Sequence, residues 1–276
     1  MKESIFYLEG RGGMWIYHFV VYNLGGLFYI INNIFNNRGS PNTSVLLDDK
    51  SKIVEQPSTN YTIPIKIHMK DVLPFQREAF EIIKDKFELI EDLNSIPDYE
   101  IISIYGETCD TNPYIDNPQS ILPFLRQIFL KRMNYEVIPG KRIFITRKNS
   151  ESQHNGILKR FILNEYEVIP FLHNRNFEII QLEDYSMHDK IKLFMESEVI
   201  MSTHGSQLTF TLFSNKKTKI IEILNRGTQN IPCEHYINIC NTLGLNYNRY
   251  SDINEDNDGN FNLDLNNFEK FLNNFI

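Results

Sequence analysis

Short apolar runs alternate with segments of helical periodicity along almost the whole chain. This alternation is typical of α/β proteins whose strands are mostly parallel. In the first half, the predicted strands are Ser4–Leu8, Ser44–Leu47, Ile63–Ile67 and Glu100–Tyr105, and the predicted helices are Trp15–Asn36, Phe75–Phe87 and Gln119–Met133.

The second half continues the alternation over about a hundred residues, which is the scale of a nucleotide-binding α/β half-domain. Its predicted strands are Arg142–Thr146, Glu178–Leu182, Glu198–Ser202 and Lys219–Ile223, and its predicted helices are Gly156–Val168, Ser186–Ser197, Ser206–Ser214, Ile231–Leu243 and the amphipathic Asp264–Phe275. Pro139-Gly140 is a natural turn between the halves. We therefore predict two α/β domains, residues 1–135 and 136–276, that face a cleft, where a ligand is expected to bind.

Composition excludes several classes of protein. The net charge of −7 over 276 residues disfavours an extended nucleic-acid footprint. The three cysteines are too few for a disulfide framework or a Cys-rich zinc site. The N-terminus lacks a secretory pattern, and His18, Asn23 and Gly25-Gly26 interrupt the apolar stretch Met14–Ile31, so no membrane span is expected. These features predict a cytoplasmic protein.

The run Val199–Leu208 contains an apolar strand, a short polar turn and the start of a helix. Gly205 would let the backbone approach a ligand closely, and the amides of Gly205, Ser206 and Gln207 would point outward at the positive end of a helix dipole. The turn is therefore a predicted anion cradle suited to a diphosphate, with His204 donating to a phosphate oxygen or a sugar hydroxyl. The alternative is an ordinary capped helix in which His204 is a packed core residue.

Charged residues elsewhere in the second half are expected at the same edge of the sheet. Arg147 follows the first strand, while Arg160 and Asn164-Glu165 fall in the next predicted helix. Ligands of open α/β sheets sit outside the carboxyl ends of the strands, and Arg grips phosphate in a planar, bidentate manner. A solvated helix face is the alternative for Arg160. Glu222 lies in an apolar strand, where a carboxylate needs a ribose diol or a buried cation as partner.

The acidic turn before the final helix resembles half of a calcium loop. Its residues are Asp256-Asn257-Asp258-Gly259, but Leu265 stands where a calcium loop needs a bidentate Glu. We predict a solvated turn.

Four pieces between Lys141 and about Tyr250 resemble glycosyltransferase family 61 in their order and spacing. They are KRIFITRK, KRFILNE, the stretch FEIIQLEDYSMHDKIKLFMESEVIMSTHGSQLTFTLF, and KIIEIL. The family pattern joins a strand ending in Arg, an Arg-x-x-x-Asn-Glu segment, a His-Gly-Ala turn and a strand ending in Glu. Ser206 stands where the family has Ala, and Phe210 where it usually has Asn.

The resemblance implies a GT-B fold, in which two Rossmann-like domains face a cleft and the final helix packs back on the first domain. It also implies inverting transfer from a nucleotide-sugar, such as a UDP-sugar, to a glycan or glycoprotein acceptor, without a metal or other cofactor. The residues that it places at the donor are Arg147, Arg160, Asn164, Glu165, His204, Gly205, Ser206, Gln207 and Glu222.

The first half resembles the family in Tyr17-His18-Phe19, which matches a helix on the acceptor side and makes His18 the first candidate for the base. Tyr22 stands where the family has Asp. Asp48, Asp49 and Asp110 are the other candidates for the base.

Two rival functions stay open. A metal-dependent GT-A transferase would place Asp48-Asp49 at the metal. A non-catalytic module that binds nucleotides or glycans is suggested by Tyr22 in place of the family's Asp.

Overall fold

A computed structural model of the protein describes residues 3–10, 19–20, 24–25, 64–69, 71–106, 118–133, 137–147, 160–224, 234–257 and 259–276. The chain divides into two compact units, Met1–Asn134 and Tyr135–Ile276. Each unit contains its own sheet of parallel strands, so the predicted α/β class with parallel sheets is confirmed. The predicted strand Ser44–Leu47 and most of the predicted helix Trp15–Asn36 lie outside the described residues.

The first unit contains a four-stranded sheet in the order β3-β2-β1-β4. Its elements are β1 (Glu3–Gly10), β2 (Ile65–His68), α1 (Pro74–Ile82), β3 (Phe87–Ile90), the 3₁₀ helix Leu93–Ser95, β4 (Tyr99–Gly106) and α2 (Pro118–Leu130). The predictions for β1, β2 and β4 are confirmed to within two residues. The prediction missed β3 because it extended the preceding helix to Phe87, and a short apolar run does not distinguish a strand from a helix end.

The apolar stretch Met14–Ile31 contributes to the core of the first unit where it is described. Phe19 is fully buried, and its ring packs edge-on against Phe75 at 5.6 Å and Phe80 at 6.0 Å between centroids. Among the described residues, no helix combines the length and the apolar content needed to cross a membrane.

The second unit contains a five-stranded sheet in the order β6-β5-β7-β8-β9, with every neighbouring pair parallel. Its strands are β5 (Lys141–Ile145), β6 (Phe177–Ile180), β7 (Ser197–Thr203), β8 (Lys219–Ile223) and β9 (Asn246–Tyr250). Its helices are α3 (Glu165–His173), α4 (Met187–Glu196), α5 (His235–Leu243) and α6 (Leu265–Phe275), with 3₁₀ helices at Leu182–Asp184 and Ser206–Phe213.

The strand order of the second sheet determines where a ligand can enter. The chain starts in the interior at β5, adds β6 on one side, and then returns to build β7, β8 and β9 on the other side. The connections after β5 and β7 therefore diverge, and the carboxyl ends of these two strands flank a topological switch point. Open α/β sheets bind their ligands in the crevice at such a point.

The predicted helix Gly156–Val168 is wrong over residues 160–164, which form an extended segment and a turn that leads into α3. The extended segment pairs with Phe261, whose amide donates to the carbonyl of Phe161 (3.0 Å) and whose carbonyl accepts from the amide of Leu163 (2.8 Å). A partner about a hundred residues away therefore satisfies backbone groups that a helix would have bonded locally.

The final helix α6 is amphipathic as predicted, and its apolar face packs within its own unit. Its packing on the first domain stays a prediction. Asp264 caps the helix by accepting from the amides of Asn266 (2.9 Å) and Asn267 (3.2 Å). Phe268 is fully buried in the core of the second unit, and the centroid of its ring lies 4.9 Å from that of Tyr250. The apolar face of α6 thus completes the core of its own unit.

Candidate functional site at the switch point

A cavity of about 230 Å³ opens at the carboxyl ends of β5 and β7. One wall comes from these two strand ends, and the other comes from the segment that leads into α3. The residues that line it are Phe144, Ile145, Arg147, Arg160, Phe161, Ile162, Leu163, Glu165, Tyr166 and Thr203. Three of the predicted site residues, Arg147, Arg160 and Glu165, therefore share one cavity.

Arg147 connects the cavity to the turn after β7. Its Nη1 atom donates to the carbonyl oxygen of His204 at 3.0 Å. Burial lowers the pKa of Arg147, and the charge of Arg160 lowers it further, while Tyr236 and Glu183 act in the opposite direction. Because arginine keeps its charge throughout the physiological range, two guanidinium groups here repel each other inside a small cavity. An anion bound between them would relieve that repulsion.

Gly205 leaves space for two side chains of the protein, those of Arg147 and Gln207, and its predicted approach to a ligand stays a prediction. Its backbone is extended, with φ at 168°, so its conformation does not require glycine. A Cβ atom there would collide with Nη1 of Arg147 and with the side-chain amide of Gln207. That amide donates to Oγ of Ser202 and to the carbonyl of Thr203, both at 2.9 Å. Glycine at this position thus lets Arg147 and Gln207 pack over the turn.

The predicted helix start after β7 is a 3₁₀ helix, Ser206–Phe213. Among the described residues, the amides of Ser206 and Gln207 have no backbone acceptor, whereas the amide of Leu208 donates to Gly205 at 3.0 Å. The turn lies beside the cavity: the described lining includes Thr203 but no residue from His204 to Gln207. Arg147 touches both, since it lines the cavity and donates to the carbonyl of His204.

His204 belongs to a buried network around Glu222. Nδ1 of His204 pairs with Oε1 of Glu222. Oε2 of Glu222 accepts from the hydroxyl of Tyr247 and from Nε and Nη2 of Arg249 at 3.3 and 3.2 Å. The ring of Tyr236 packs against the imidazole at 5.2 Å between centroids, tilted by 59°. The imidazole is therefore held by an ion pair and by an aromatic contact.

The network keeps Glu222 ionised. Burial by itself would raise the pKa of Glu222, but the hydrogen bonds from His204 and Tyr247 and the positive charge of Arg249 outweigh burial and leave the pKa below its ordinary value. Both carboxylate oxygens are occupied and the residue is fully buried. Glu222 therefore has the buried ionic partner and not a ribose diol, and its predicted place at the donor is corrected to a supporting position behind His204.

Sequence reasoning missed Tyr247 and Arg249, which lie on β9. The pattern of β9, Asn-Tyr-Asn-Arg-Tyr, has no apolar run and so no strong strand signal. Its register opposite β8 places Arg249 directly beside Glu222. The sequence feature that could have identified them is the spacing of Tyr247 and Arg249, because residues two apart on a strand project from the same face of the sheet.

The wall segment that carries Arg160 is held in an uncommon backbone conformation. Arg160 has a φ of 57°, in the left-handed region, and Nε of its guanidinium is buried without a hydrogen-bond partner among the described residues. The next amide, of Phe161, donates to Oδ1 of Asn260 at 3.0 Å. Such conformations persist when surrounding contacts impose them, and they cluster at ligand clamps.

Asn164 and Glu165 have different roles, although they are neighbours. Oδ1 of Asn164 accepts from the amide of Leu263 (2.9 Å), and its Nδ2 donates to the carbonyl of Leu263 (3.0 Å). Asn164 thus ties the start of α3 to the chain before α6, which corrects its predicted contact with the donor. Glu165 instead lines the cavity and accepts a hydrogen bond from the hydroxyl of Thr146.

The candidates for the catalytic base, His18, Asp48, Asp49 and Asp110, all lie outside the described residues. Within the ranges that the structure describes, no three His, Cys, Asp or Glu side chains come together as a metal site would require.

The second unit is an open parallel α/β sheet with a cavity at its switch point, the place where open α/β sheets bind their ligands. The sequence matches the family described as Glycosyltransferase 61 over residues 17–221. The chain therefore belongs to this family, which is a family of transferases of the EC 2.4 class.

One curated relative is Protein O-linked-mannose beta-1,4-N-acetylglucosaminyltransferase 2 from Xenopus laevis. The two sequences are 32% identical over 83 residues, which amount to 29% of this chain. The chain spans 14% of the length of that relative.

Proposed function

We propose that this protein transfers a sugar from a nucleoside diphosphate-sugar, with UDP as the nucleotide, to a glycan or glycoprotein acceptor. The observation that carries the proposal is the pairing of Arg147 and Arg160 on one cavity at the switch point of the second sheet. Membership of family 61 supports the reaction class.

The diphosphate fits this cavity by charge. One guanidinium group can bind two phosphate oxygens at once, and a diphosphate between Arg147 and Arg160 would offset the repulsion between their charges. Arg147 is held by the carbonyl of His204, so one guanidinium is oriented before the ligand arrives. Preorganised donors of this kind stabilise the charge that develops on a leaving diphosphate.

We further propose inverting transfer without a metal in a GT-B arrangement, with residues 136–276 on the donor side and residues 1–135 on the acceptor side. The acceptor hydroxyl would attack the anomeric carbon and give its proton to a base, while the nucleoside diphosphate departs with its bonding electrons. His18 is proposed as that base on the resemblance of Tyr17-His18-Phe19 to the family. The positive field for the leaving group would come from Arg147 and Arg160.

The test is a thermal-shift titration with UDP. Bound ligand stabilises the folded state by linkage, so UDP at a hundredfold excess over Kd is expected to raise Tm by about 5 °C. Arg147→Ala is expected to abolish the shift. Arg142→Ala is the matched control, because Arg142 lies on β5, the strand that Arg147 follows, but pairs with Glu198 at the surface, and it should keep the full shift.

Gly205→Ala supplies a second variant that leaves every charge in place. The new Cβ would push Arg147 away from the turn, so the UDP shift is expected to fall to less than half. Gly140→Ala, where a Cβ meets nothing within 4 Å, should be neutral. A full shift in both Arg147→Ala and Gly205→Ala would contradict the donor site, and a shift that disappears in excess EDTA would contradict metal independence.

A further inference from the structure

We infer that Thr203 and Glu165 form a hydroxyl-binding site in this cavity that takes a vicinal diol of the donor. The inference rests on the proposed function and assigns a second, uncharged part of the same ligand. It adds Thr203 to the residues proposed to bind the donor. It also assigns the contact with the diol to Glu165, because both carboxylate oxygens of Glu222 are already hydrogen-bonded within the protein.

Thr203 is the last residue of β7 and one of the residues that line the cavity. It is only 3% exposed, and its Oγ1 atom is buried without a hydrogen-bond partner among the described residues. A buried hydroxyl without a partner destabilises the fold relative to a methyl group of the same shape. Such a cost is explained when a ligand supplies the missing partner.

Glu165 presents an available acceptor to the same cavity. The residue is 7% exposed, and the hydroxyl of Thr146 donates to its Oε1. In the part of the chain that the structure describes, Oε2 has no hydrogen-bond partner. Glu165 is also the first residue of α3, where the helix dipole favours a negative charge. Oε2 is therefore an acceptor that is ready for a hydroxyl donor.

Sheet register brings the two groups together. Ile145 of β5 pairs with Ser202 of β7, so Thr146 and Thr203 follow at neighbouring strand ends, which in a sheet lie about 4.8 Å apart. Glu165 is bonded to Thr146, and its carboxylate is thus brought beside Thr203. Hydroxyls on adjacent carbons match such a pair, since one can donate to the carboxylate and the other can exchange a hydrogen bond with Thr203.

The charges that line the cavity favour different parts of one ligand at its two ends. The carboxylate of Glu165 repels phosphate, whereas Arg147 and Arg160 attract it. A nucleotide-sugar carries vicinal hydroxyls next to its diphosphate in two places, the ribose and the transferred sugar. Both offer the same chemistry to Thr203 and Glu165, so the ligands used in the test must separate them.

The experiment is isothermal titration calorimetry on the full chain with UDP, 2′-deoxy-UDP and UDP-N-acetylglucosamine. If the ribose occupies the site, the wild-type protein binds UDP about tenfold more tightly than 2′-deoxy-UDP, and Thr203→Val removes that preference. If the transferred sugar occupies it, the wild-type protein binds UDP and 2′-deoxy-UDP with equal affinity and binds UDP-N-acetylglucosamine more tightly than UDP. Thr203→Val then reduces the ratio of the affinities for UDP-N-acetylglucosamine and UDP about tenfold. Glu165→Gln is expected to reduce the same preference.

Two further variants separate recognition from packing. Thr203→Ser keeps the hydroxyl and should restore the preference. Thr209→Val removes another buried hydroxyl without a partner among the described residues, at a position outside the described cavity lining, and should change nothing. Without ligand, Thr203→Val should melt at the wild-type temperature or above it, because it removes an unsatisfied group.

The outcomes distinguish this inference from the function on which it rests. Tight UDP binding with preferences that survive in both Thr203→Val and Glu165→Gln overturns the diol site and leaves the proposed function intact. A wild-type protein that binds none of the three ligands overturns the proposed function, and the diol site with it.

Discussion

At Glu222, one carboxylate carries three interactions that the sequence could only partly predict. A Glu inside the apolar run of β8 signals a buried charge with a partner. The sequence did not predict which residues are the partners, because Tyr247 and Arg249 reach the carboxylate only through the register of β8 with β9. The chemistry of the residue was predictable, whereas its neighbours depend on tertiary pairing.

Glu222→Gln is expected to lower the free energy of unfolding by about 3 kcal/mol at neutral pH, since the guanidinium of Arg249 loses its buried counter-charge. The pKa of Glu222 is lowered in the folded protein. Its stabilisation is therefore present above the unfolded-state pKa of about 4.3 and is lost as the pH falls through the folded-state pKa. The difference between variant and wild type should shrink in that acidic range.

Urea unfolding at a series of pH values measures this difference. Glu198→Gln is the control, because the pair of Glu198 with Arg142 is 40% and 34% exposed and should contribute less than about 1 kcal/mol. A Glu222→Gln difference that grows on acidification would contradict an ionised Glu222.

The elements follow the sequence closely where apolar periodicity is strong. The strands β5, β7 and β8 have continuous buried runs and were predicted to within a residue or two. Prediction failed where a distant segment decides the conformation. Phe161 and Ile162 are not helical because this segment pairs with Phe261, and β9 is a strand because it pairs with β8 at the edge of the sheet.

The acidic turn near the C-terminus was predicted to be a solvated turn, and it also braces the cavity wall. Asp256 is exposed, yet its carboxylate accepts from the backbone amide (2.8 Å) and the Nδ2 (3.3 Å) of Asn260. Asn260 in turn accepts from the amide of Phe161, next to Arg160. The turn therefore holds the wall that presents a guanidinium to the cavity.

Asn260→Ala is expected to weaken UDP binding about fivefold and to lower stability by about 1–2 kcal/mol, because the amide of Phe161 loses its acceptor. Calorimetry with UDP and urea unfolding measure the two effects. Asn257→Ala, at an exposed position of the same turn, should leave both unchanged. Unaltered UDP affinity in Asn260→Ala would show that the brace does not position Arg160.

At the scale of the whole molecule, each unit has a sheet of its own, and the candidate site belongs to one of them. The core cluster that contains Val168, Tyr250 and Phe268 lies entirely in the second unit. The described lining of the cavity lies there as well. The α/β character of each unit was predictable, because strand and helix patterns alternate in both halves of the chain.

Residues 135–276 expressed alone are therefore expected to unfold in a single cooperative transition and to bind UDP within about threefold of the full chain. Circular dichroism in urea and calorimetry with UDP measure the two properties. The same fragment with Arg147→Ala is the control and should fold without binding. A fragment that lacks a cooperative transition would mean that the second unit depends on the first.

The bond from Arg147 to the carbonyl of His204 joins positions that are 57 residues apart in sequence. It forms only after β5 and β7 have come together, a loop closure that carries an entropic cost. In a chain in which these strands have not paired, Arg147 is separated from the turn at His204, and the cavity between the two strand ends has not formed. A nucleotide that binds the proposed site would then bind only the folded second unit. Its presence during refolding would stabilise that state relative to every partly folded state.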